Sequence, residues 1–450
     1  MKDPELPAVR ALAIKATAAT DALARASRQG LLLGAIGDSR IEQAIGDSGQ
    51  SFTFRSVLYW IGALTRARVR FDPAITAGVS GNTTTQALVR LPALINAVKT
   101  AGGDGILWYC ATNDPANGIL PDTTAANMTS AVTQIRAAGL LVFIIVETPR
   151  GYSGTSFPYA APSPTYAAPS EPLRGYHQQN TQFQRWMQSL PGVYVIDAVR
   201  RTADLTVTDG SPRQDLFWDG LHPAAPASFL IGSAAADVIN ALLPEPSVLV
   251  NTSSDISKSG NIWGNLLFGG MVQGTGGTKG ANASGNLADT WSCSTNDTGL
   301  TAMLSKVTST SSEGVPETWQ QVVVGGAGPT VASPAVTFTC VSTTPGPTPD
   351  GCQMEAGIEI QVDAGASRIR SLNLILNCGT GTNFAATGSL PSDYGDMSAY
   401  AWNGVLLTPR FTIPAGGVAS KTLNFVINTR QGYAPSATIR FRRATFRRIT

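Results

Sequence analysis

Between Leu31 and Leu243, short apolar-rich runs alternate with longer stretches of helical period. No other feature restricts the fold as strongly. Short apolar runs suit strands buried on both faces, and parallel strands of that kind need helical crossovers between them. The spacing predicts strands over 31–36, 68–76, 104–111, 140–146 and 193–197, and helices over 54–66, 84–100, 123–138, 175–189 and 224–242. This is the pattern of an α/β domain with a parallel sheet covered on both faces. Residues 150–173 interrupt it with Pro158, Pro162, Pro164, Pro169 and Pro172 among Tyr, Ser and Ala. They read as an insertion over the sheet's edge that borders a cleft.

Pro244-Glu245-Pro246-Ser247 stops the last helix, and the composition then shifts to Gly, Ser, Thr and Asn. Alternating runs at 320–324, 336–340, 357–362, 371–376 and 423–427, bounded by Gly and Pro, predict an all-β sandwich or jelly roll. Upstream, Val9, Leu12, Ala16, Ala19, Leu23 and Ala26 form a short heptad-like seam over 7–28. That helix either packs on its own domain or acts as an oligomerising stalk. The chain therefore divides into an N-terminal helix (1–30), an α/β domain (31–243), a linker (244–260) and a β-sandwich domain for binding or assembly (261–450). No acidic residue follows Asp396, and the Arg-rich end (438–450) reads as a last strand with a solvated Arg face, or as a contact to an anionic polymer or partner.

A net charge of +2 gives no field favouring nucleic acid. No stretch approaches the ~18 apolar residues of a membrane span. Met1-Lys2-Asp3-Pro4-Glu5 lacks the basic start and apolar core of a signal peptide. A cytoplasmic protein, export by another route and a removed leader all stay open. Of the cysteines Cys110, Cys293, Cys340, Cys352 and Cys378, none forms a Cys-x-x-Cys pair, which argues against a zinc ribbon. Cys110 reads as strand core, while Cys340 and Cys352 flank a Pro-rich loop and either pair or stay free.

Gly37-Asp38-Ser39 follows the apolar run 31–36 and precedes a helix-like stretch. A serine there lies at the C-terminal edge of the sheet, where open α/β folds bind ligands and a helix N-terminus receives an oxyanion. The second copy, Gly46-Asp47-Ser48, follows no strand and reads as a loop. Only two histidines exist, His177 and His222. His222 stands in Trp218-Asp219-Gly220-Leu221-His222-Pro223, with Asp219 close enough on a turn to orient its ring. His177, in a polar stretch with no nearby carboxylate, reads as a surface residue. Gly81 in Val79-Ser80-Gly81-Asn82 and Asn113 in Ala111-Thr112-Asn113-Asp114 each follow a predicted strand, and supply a backbone and a side-chain donor.

These four blocks, in this order, resemble the SGNH hydrolases, also called the GDSL esterase/lipase family, over residues 31–243. The resemblance implies a flavodoxin-like three-layer α/β/α domain. It makes Ser39 the nucleophile, His222 the base and Asp219 its orienting carboxylate, with an oxyanion hole from the Ser39 and Gly81 N–H groups and the Asn113 amide. It implies no cofactor and no metal. Ala111 stands where the family usually has Gly, and Arg40 where it often has Leu. Arg40 sets a charge beside the nucleophile and argues against a purely lipid-like acyl substrate.

The β-rich module resembles accessory sandwiches of carbohydrate-active enzymes, and Tyr152, Tyr159 and Tyr166 suit stacking on sugar rings. The expected activity is a carbohydrate O-acetyl esterase acting on an acetylated polysaccharide. The alternatives are a short-chain aryl or lipid esterase, and a non-catalytic glycan-binding virion or structural subunit. The whole architecture resembles a phage tail-associated deacetylase, extracellular or virion-borne. The expected partners are the polysaccharide and further copies of the chain, not nucleic acid or membrane.

Overall fold

The computed structural model describes residues 29–46, 49, 51–151, 171–207, 210–213, 215–258, 261, 263–267, 269–310, 314, 316–341, 351–378, 384–389, 396–397, 399–413 and 421–449. The helix expected over 7–28, Asp47 and Ser48 of the second Gly-Asp-Ser, and Tyr152, Tyr159 and Tyr166 lie outside them.

In chain order the first half forms β1 (Leu31–Gly37), α1 (Ser39–Glu42), β2 (Ser51–Thr53), α2 (Val57–Leu64), β3 (Val69–Gly78), α3 (Thr84–Thr100), β4 (Gly105–Tyr109), α4 (Pro121–Ala137), β5 (Leu141–Ile145), α5 (Glu171–Trp186), β6 (Val193–Ile196), α6 (Val199–Thr202) and α7 (Ala225–Leu242). Local chemistry sets several of the starts. The Ser56 hydroxyl caps α2 by accepting from Leu58 N at 3.0 Å, and Thr83 and Gln86 form a reciprocal capping box on α3. Five strands build one parallel sheet in the order β3-β1-β4-β5-β6. Numbered within the sheet this is 2-1-3-4-5, the flavodoxin-like order, whose switch point lies beside the end of the first strand.

The side-chain alternation of β1 explains the three layers. Leu32 and Ile36 join a core with Leu91, Leu94 and Val98 of α3 and Val132 and Ile135 of α4. Leu33 and Ala35 face the other way, into a core with Trp60 of α2 and Phe229 and Ile239 of α7. A strand buried on both faces has no polar face to alternate with, which is why the run is apolar throughout. By length and mean hydropathy (1.3) α7 alone would suit a membrane span, yet half of it is buried within the fold.

The second half is two mixed sheets packed face to face. One runs Trp402–Leu407, Gln353–Val362, Ala437–Arg448, Pro316–Gly325, Thr301–Thr310, Ala283–Gly285. The other runs β2, Phe384–Ser389, Ile369–Cys378, Lys421–Thr429, Ala335–Val341, Leu287–Thr295, Gly276–Lys279. Phe441 of the first sheet meets Phe338, Phe425 and Trp291 of the second at ring separations of 5.0, 5.4 and 5.2 Å. All five cysteines are buried and none is in a disulfide, so Cys340 and Cys352 do not form one.

The two halves interlock. β2, from the α/β half, pairs in parallel with Phe384–Ser389 and so edges a sandwich sheet. Trp60 is fully buried and meets Trp402 at 5.1 Å and Phe229 at 5.2 Å, which joins α7, α2 and the sandwich in one continuous core. Residues 244–258 run between the halves and are themselves packed at Val248, Leu249 and Val250, with Val250 N donating to Thr445 Oγ1 at 2.6 Å. The arginines of the last strand are not a solvated row. Arg440 forks onto Asp363 at 2.5 and 2.9 Å, and Arg442 pairs with Glu317 and, at 2.7 Å, with buried Glu359.

Candidate active site

β1 delivers the chain to the switch point and must turn at once. Gly37 has no room for a side chain there, since a Cβ would meet the Tyr109 carbonyl oxygen at 2.3 Å. Asp38 then caps the short α1, its Oδ1 accepting from Arg40 N at 3.0 Å. Ser39 is the first residue of α1, where helix N–H groups have no acceptor within the helix. The residue is 6% exposed.

The loop before α7 brings up the other groups. Ser39 Oγ lies 2.7 Å from His222 Nε2, and His222 Nδ1 lies 2.6 Å from Asp219 Oδ2. Asp219 Oδ1 accepts from Leu221 N at 3.0 Å and from His222 N at 2.7 Å. One carboxylate oxygen thus fixes the turn and the other fixes the ring. The turn needs Gly220, whose φ is +80°. The Trp218 ring stacks on the imidazole at 5.2 Å and 18°. Burial pushes the Asp219 carboxyl up, but the hydrogen bonds from His222 and Leu221 outweigh it and hold the group below the usual carboxylate range. Asp219 is therefore ionised throughout the neutral range.

Gly81 lies in the turn after β3 with φ +74°, and Asn113 follows β4. The Asn113 amide donates to the Asn82 carbonyl at 3.1 Å, and its nitrogen carries a second N–H. Buried Asp114 ties the two blocks together, accepting from Thr84 N at 2.7 Å, Thr84 Oγ1 at 2.5 Å and Thr124 Oγ1 at 2.5 Å.

A model of the GDSL-like Lipase/Acylhydrolase family matches residues 35–227. These residues are a GDSL-like lipase/acylhydrolase domain. Among solved structures, the chain is similar to a GDSL-like lipase from Bacteroides thetaiotaomicron VPI-5482, at 14% identity and TM-score 0.34, covering 51% of this chain and 98% of that one. It is similar to TesA at 20% identity and TM-score 0.32, covering 47% and 99%. It is also similar to the psychrotrophic esterase EstA from Pseudoalteromonas sp., at 19% identity and TM-score 0.33, covering 47% and 97%. No curated protein matches the chain. The family is one of carboxylic ester hydrolases.

Two expectations about this domain need correction. Arg40 does not charge the cleft. It is fully buried, bonds Asp38 through Nε at 2.9 Å and Nη2 at 2.6 Å, bonds Glu147 at 2.8 and 3.1 Å, and lies over the Tyr109 ring at 3.8 Å. Its charge is neutralised by two buried carboxylates and offers no argument against an apolar acyl group. His177 is half-buried rather than a fully solvated surface residue. Its Nε2 is shielded from solvent without a partner among the described residues, and burial, with Arg150 and Arg40 nearby, pushes the ring down to about 4.

Sequence reasoning passed over Glu147 and Arg90. Glu147 left a signal, as a lone carboxylate directly after the apolar run 140–146. Arg90 left none. From α3 it donates to the Ala77 carbonyl at 2.5 Å, the Gly37 carbonyl at 3.0 Å and Asn82 Oδ1 at 3.0 Å. It thereby clamps the ends of β1 and β3 to the residue whose carbonyl holds the Asn113 amide.

Proposed function

We propose that the GDSL-like domain is a serine esterase that removes acetyl groups from a polysaccharide. The observation that carries the catalytic part is the hydrogen-bonded row from Ser39 Oγ through His222 to Asp219, at 2.7 and 2.6 Å. In this reading Ser39 Oγ attacks the ester carbonyl while His222 Nε2 takes its proton. Asp219 holds Nδ1–H and stabilises the imidazolium. The tetrahedral oxyanion is held by the N–H groups of Ser39 and Gly81 and by the Asn113 side chain. Collapse breaks the bond to the sugar oxygen, which takes the proton from His222 and leaves as a hydroxyl. A water activated by the same ring then releases acetate from Ser39.

The substrate part is supported by the mixed lining beside the site and by the sandwich that shares a core with the domain. The neighbouring cavity mixes Thr148, Gln178, Thr181 and Gln182 with Pro149, Val199 and Ala203, a lining that offers a sugar unit both hydroxyl partners and apolar faces. Such an enzyme works outside the cell or on a virion, where acetylated polymers lie. The test is acetate release from a panel of acetylated polysaccharides beside a p-nitrophenyl ester series. Polymer deacetylation with turnover falling sharply beyond acetate is the expected result. Turnover of aryl esters alone, without polymer release, overturns the substrate assignment, and failure of Ser39 to label with an organophosphonate overturns the esterase.

Arg90 acts as a positioning residue in this scheme. Arg90→Ala is expected to lower kcat by about 10²-fold, with little change in KM, because the catalytic turns lose their shared clamp. Phosphonate labelling of Ser39 slows in parallel. Arg90→Lys, which keeps the charge but not the three-way fork, recovers only part of the rate. An unchanged kcat in Arg90→Ala removes Arg90 from the mechanism.

A further inference from the structure

The last strand, Ala437–Arg448, ends on a buried cation with no counter-charge. Side chains two residues apart on a strand share a face. Arg448 therefore follows Phe446 on the inward face, and it is only 7% exposed. Its Nε and Nη2 are shut off from solvent without a hydrogen-bond partner, and among the described residues it makes no ion pair. Its neighbours differ. Arg440 pairs with Asp363, Arg442 with Glu317 and Glu359, and Arg70 with Glu355 at 2.8 Å. A buried charge left alone is costly, so an unpaired one calls for an ion or a ligand.

A cavity of about 310 Å³ opens over this guanidinium, lined by Gln29, Trp263, Arg447, Arg448 and Ile449. Its volume lies at the lower end of the ~300–1,000 Å³ usual for small-ligand sites. Of the three Arg448 guanidinium nitrogens only Nη1 is not shut off, so an anion in the cavity reaches the delocalised charge through that atom. Arg447 adds a second guanidinium, tied to the protein only by a 3.4 Å bond from Nη1 to the Ser247 carbonyl. Among the described residues no carboxylate lines the cavity. Glu355, across the sheet from Arg447, is the one held by Arg70. Asp255, in the loop that carries Trp263, accepts from Asn261 at 3.0 Å. The acceptor in the wall, Gln29 Oε1, is taken by Arg70 at 3.3 Å and Arg410 at 3.4 Å. A cleft lined by one sign of charge concentrates ligands of the other.

The second observation is Trp263, which is 55% exposed in the same wall. Its loop is stitched to the last strand. Leu266 N donates to the Phe446 carbonyl at 2.7 Å, Asn265 Nδ2 to the Ala444 carbonyl at 3.0 Å, and Asn265 Oδ1 accepts from Phe446 N at 2.8 Å. A fixed loop thus holds a flat apolar ring beside two cations. The matching ligand carries an apolar face and a carboxylate together. A uronate does so, with the C–H groups of its ring on one face and the carboxylate at its edge.

We propose that this cavity binds a carboxylate-bearing sugar unit of an acidic glycan, with Arg447 and Arg448 on the carboxylate and Trp263 on the face of the ring. The site holds the polymer and does not react with it, since none of its lining residues belongs to the serine centre. The choice of a sugar rests on the polysaccharide reading above, whereas binding can be tested without turnover.

Calorimetry on the full chain measures trigalacturonate, xylotriose and succinate, in the unaltered protein and in Trp263→Ala, Arg447→Gln and Arg448→Gln. Trigalacturonate is expected to bind at least tenfold more tightly than xylotriose or succinate, and more weakly as salt is raised. Trp263→Ala and Arg448→Gln should each weaken it about tenfold, and Arg447→Gln several-fold. Trp263 is exposed, so its variant keeps the test open even if Arg448→Gln fails to fold. No trigalacturonate binding, equal affinity for xylotriose or for succinate, or affinity untouched by Trp263→Ala and Arg447→Gln overturns the proposal. Trigalacturonate binding that the variants weaken, with no acetate released from any polymer, keeps the site and sinks the deacetylase reading instead.

Discussion

If the proposed mechanism holds, Ser39→Ala is expected to reduce ester turnover by roughly 10⁶-fold, because it removes the nucleophile and disables the whole serine–histidine–aspartate unit. His222→Ala should fall to nearly the same floor, since the proposed base is His222 Nε2, 2.7 Å from Ser39 Oγ. The losses should not add, because either change leaves the other residue idle. Asp219→Asn is informative in a different way. It keeps the shape of the turn but presents an amide to His222 Nδ1, favours the wrong tautomer and is expected to cost about 10⁴-fold. The measurement is turnover of p-nitrophenyl acetate, beside labelling of Ser39 by an organophosphonate. Full activity in Ser39→Ala would move the nucleophile elsewhere, and an intact rate in Asp219→Asn would leave His222 without need of its carboxylate.

Arg40→Met should produce the largest loss of stability of any single change near the site. Arg40 is the cation between Asp38 and Glu147, and all three side chains are essentially inaccessible to solvent. Burial works against the Arg40 charge, but the two carboxylates outweigh it and hold the guanidinium above its ordinary pKa. Removing one partner of a buried ion pair typically costs ~3–5 kcal/mol, because the remaining charge is left uncompensated. The expected result is a loss of that size in chemical unfolding.

The pH dependence has a definite sign. Burial pushes the Glu147 carboxyl up, against the pull of Arg40. A folded-state value above the unfolded one means that its contribution to stability is present at low pH and lost as pH rises. Without Arg40 the carboxyl rises further. The deficit of Arg40→Met should therefore be larger at about pH 8 than at about pH 5. A deficit that is flat with pH would show that Glu147 does not carry it. Asp38 also bonds Arg40 N and opens α1, so the variant is expected to lose activity as well, through a displaced Ser39.

Much of this molecule can be read from neighbouring residues. The strands over 31–37, 69–78, 105–109, 141–145 and 193–196 lie within about two residues of where apolar period places them, and so do most of the helices. The reason is physical. A strand buried on both faces writes its burial into consecutive side chains, and a cap or tight turn is decided within a few residues. The Asp219-Gly220-Leu221-His222 turn is of this kind, because the carboxylate, the positive-φ glycine and the ring it orients are all local.

What tertiary structure alone decided is the fate of groups whose partners lie far along the chain. Arg40 reads as a cleft charge until Glu147, 107 residues away, takes it into the interior. His177 reads as solvated until the fold half-buries it, with its Nε2 shielded, across a cavity from the end of β5. The last strand's arginines read as a basic face until Asp363, Glu317 and Glu359 pair with them across the sheet. The α/β and β-rich halves read as separate domains joined by a linker, yet β2 and Trp60 reach into the sandwich. The sequence by itself determined the backbone pattern and the local turn from Asp219 to His222. The sign, exposure and partners of the charged groups waited on the fold, because Coulomb energy and burial depend on distance in space and carry no period along the chain.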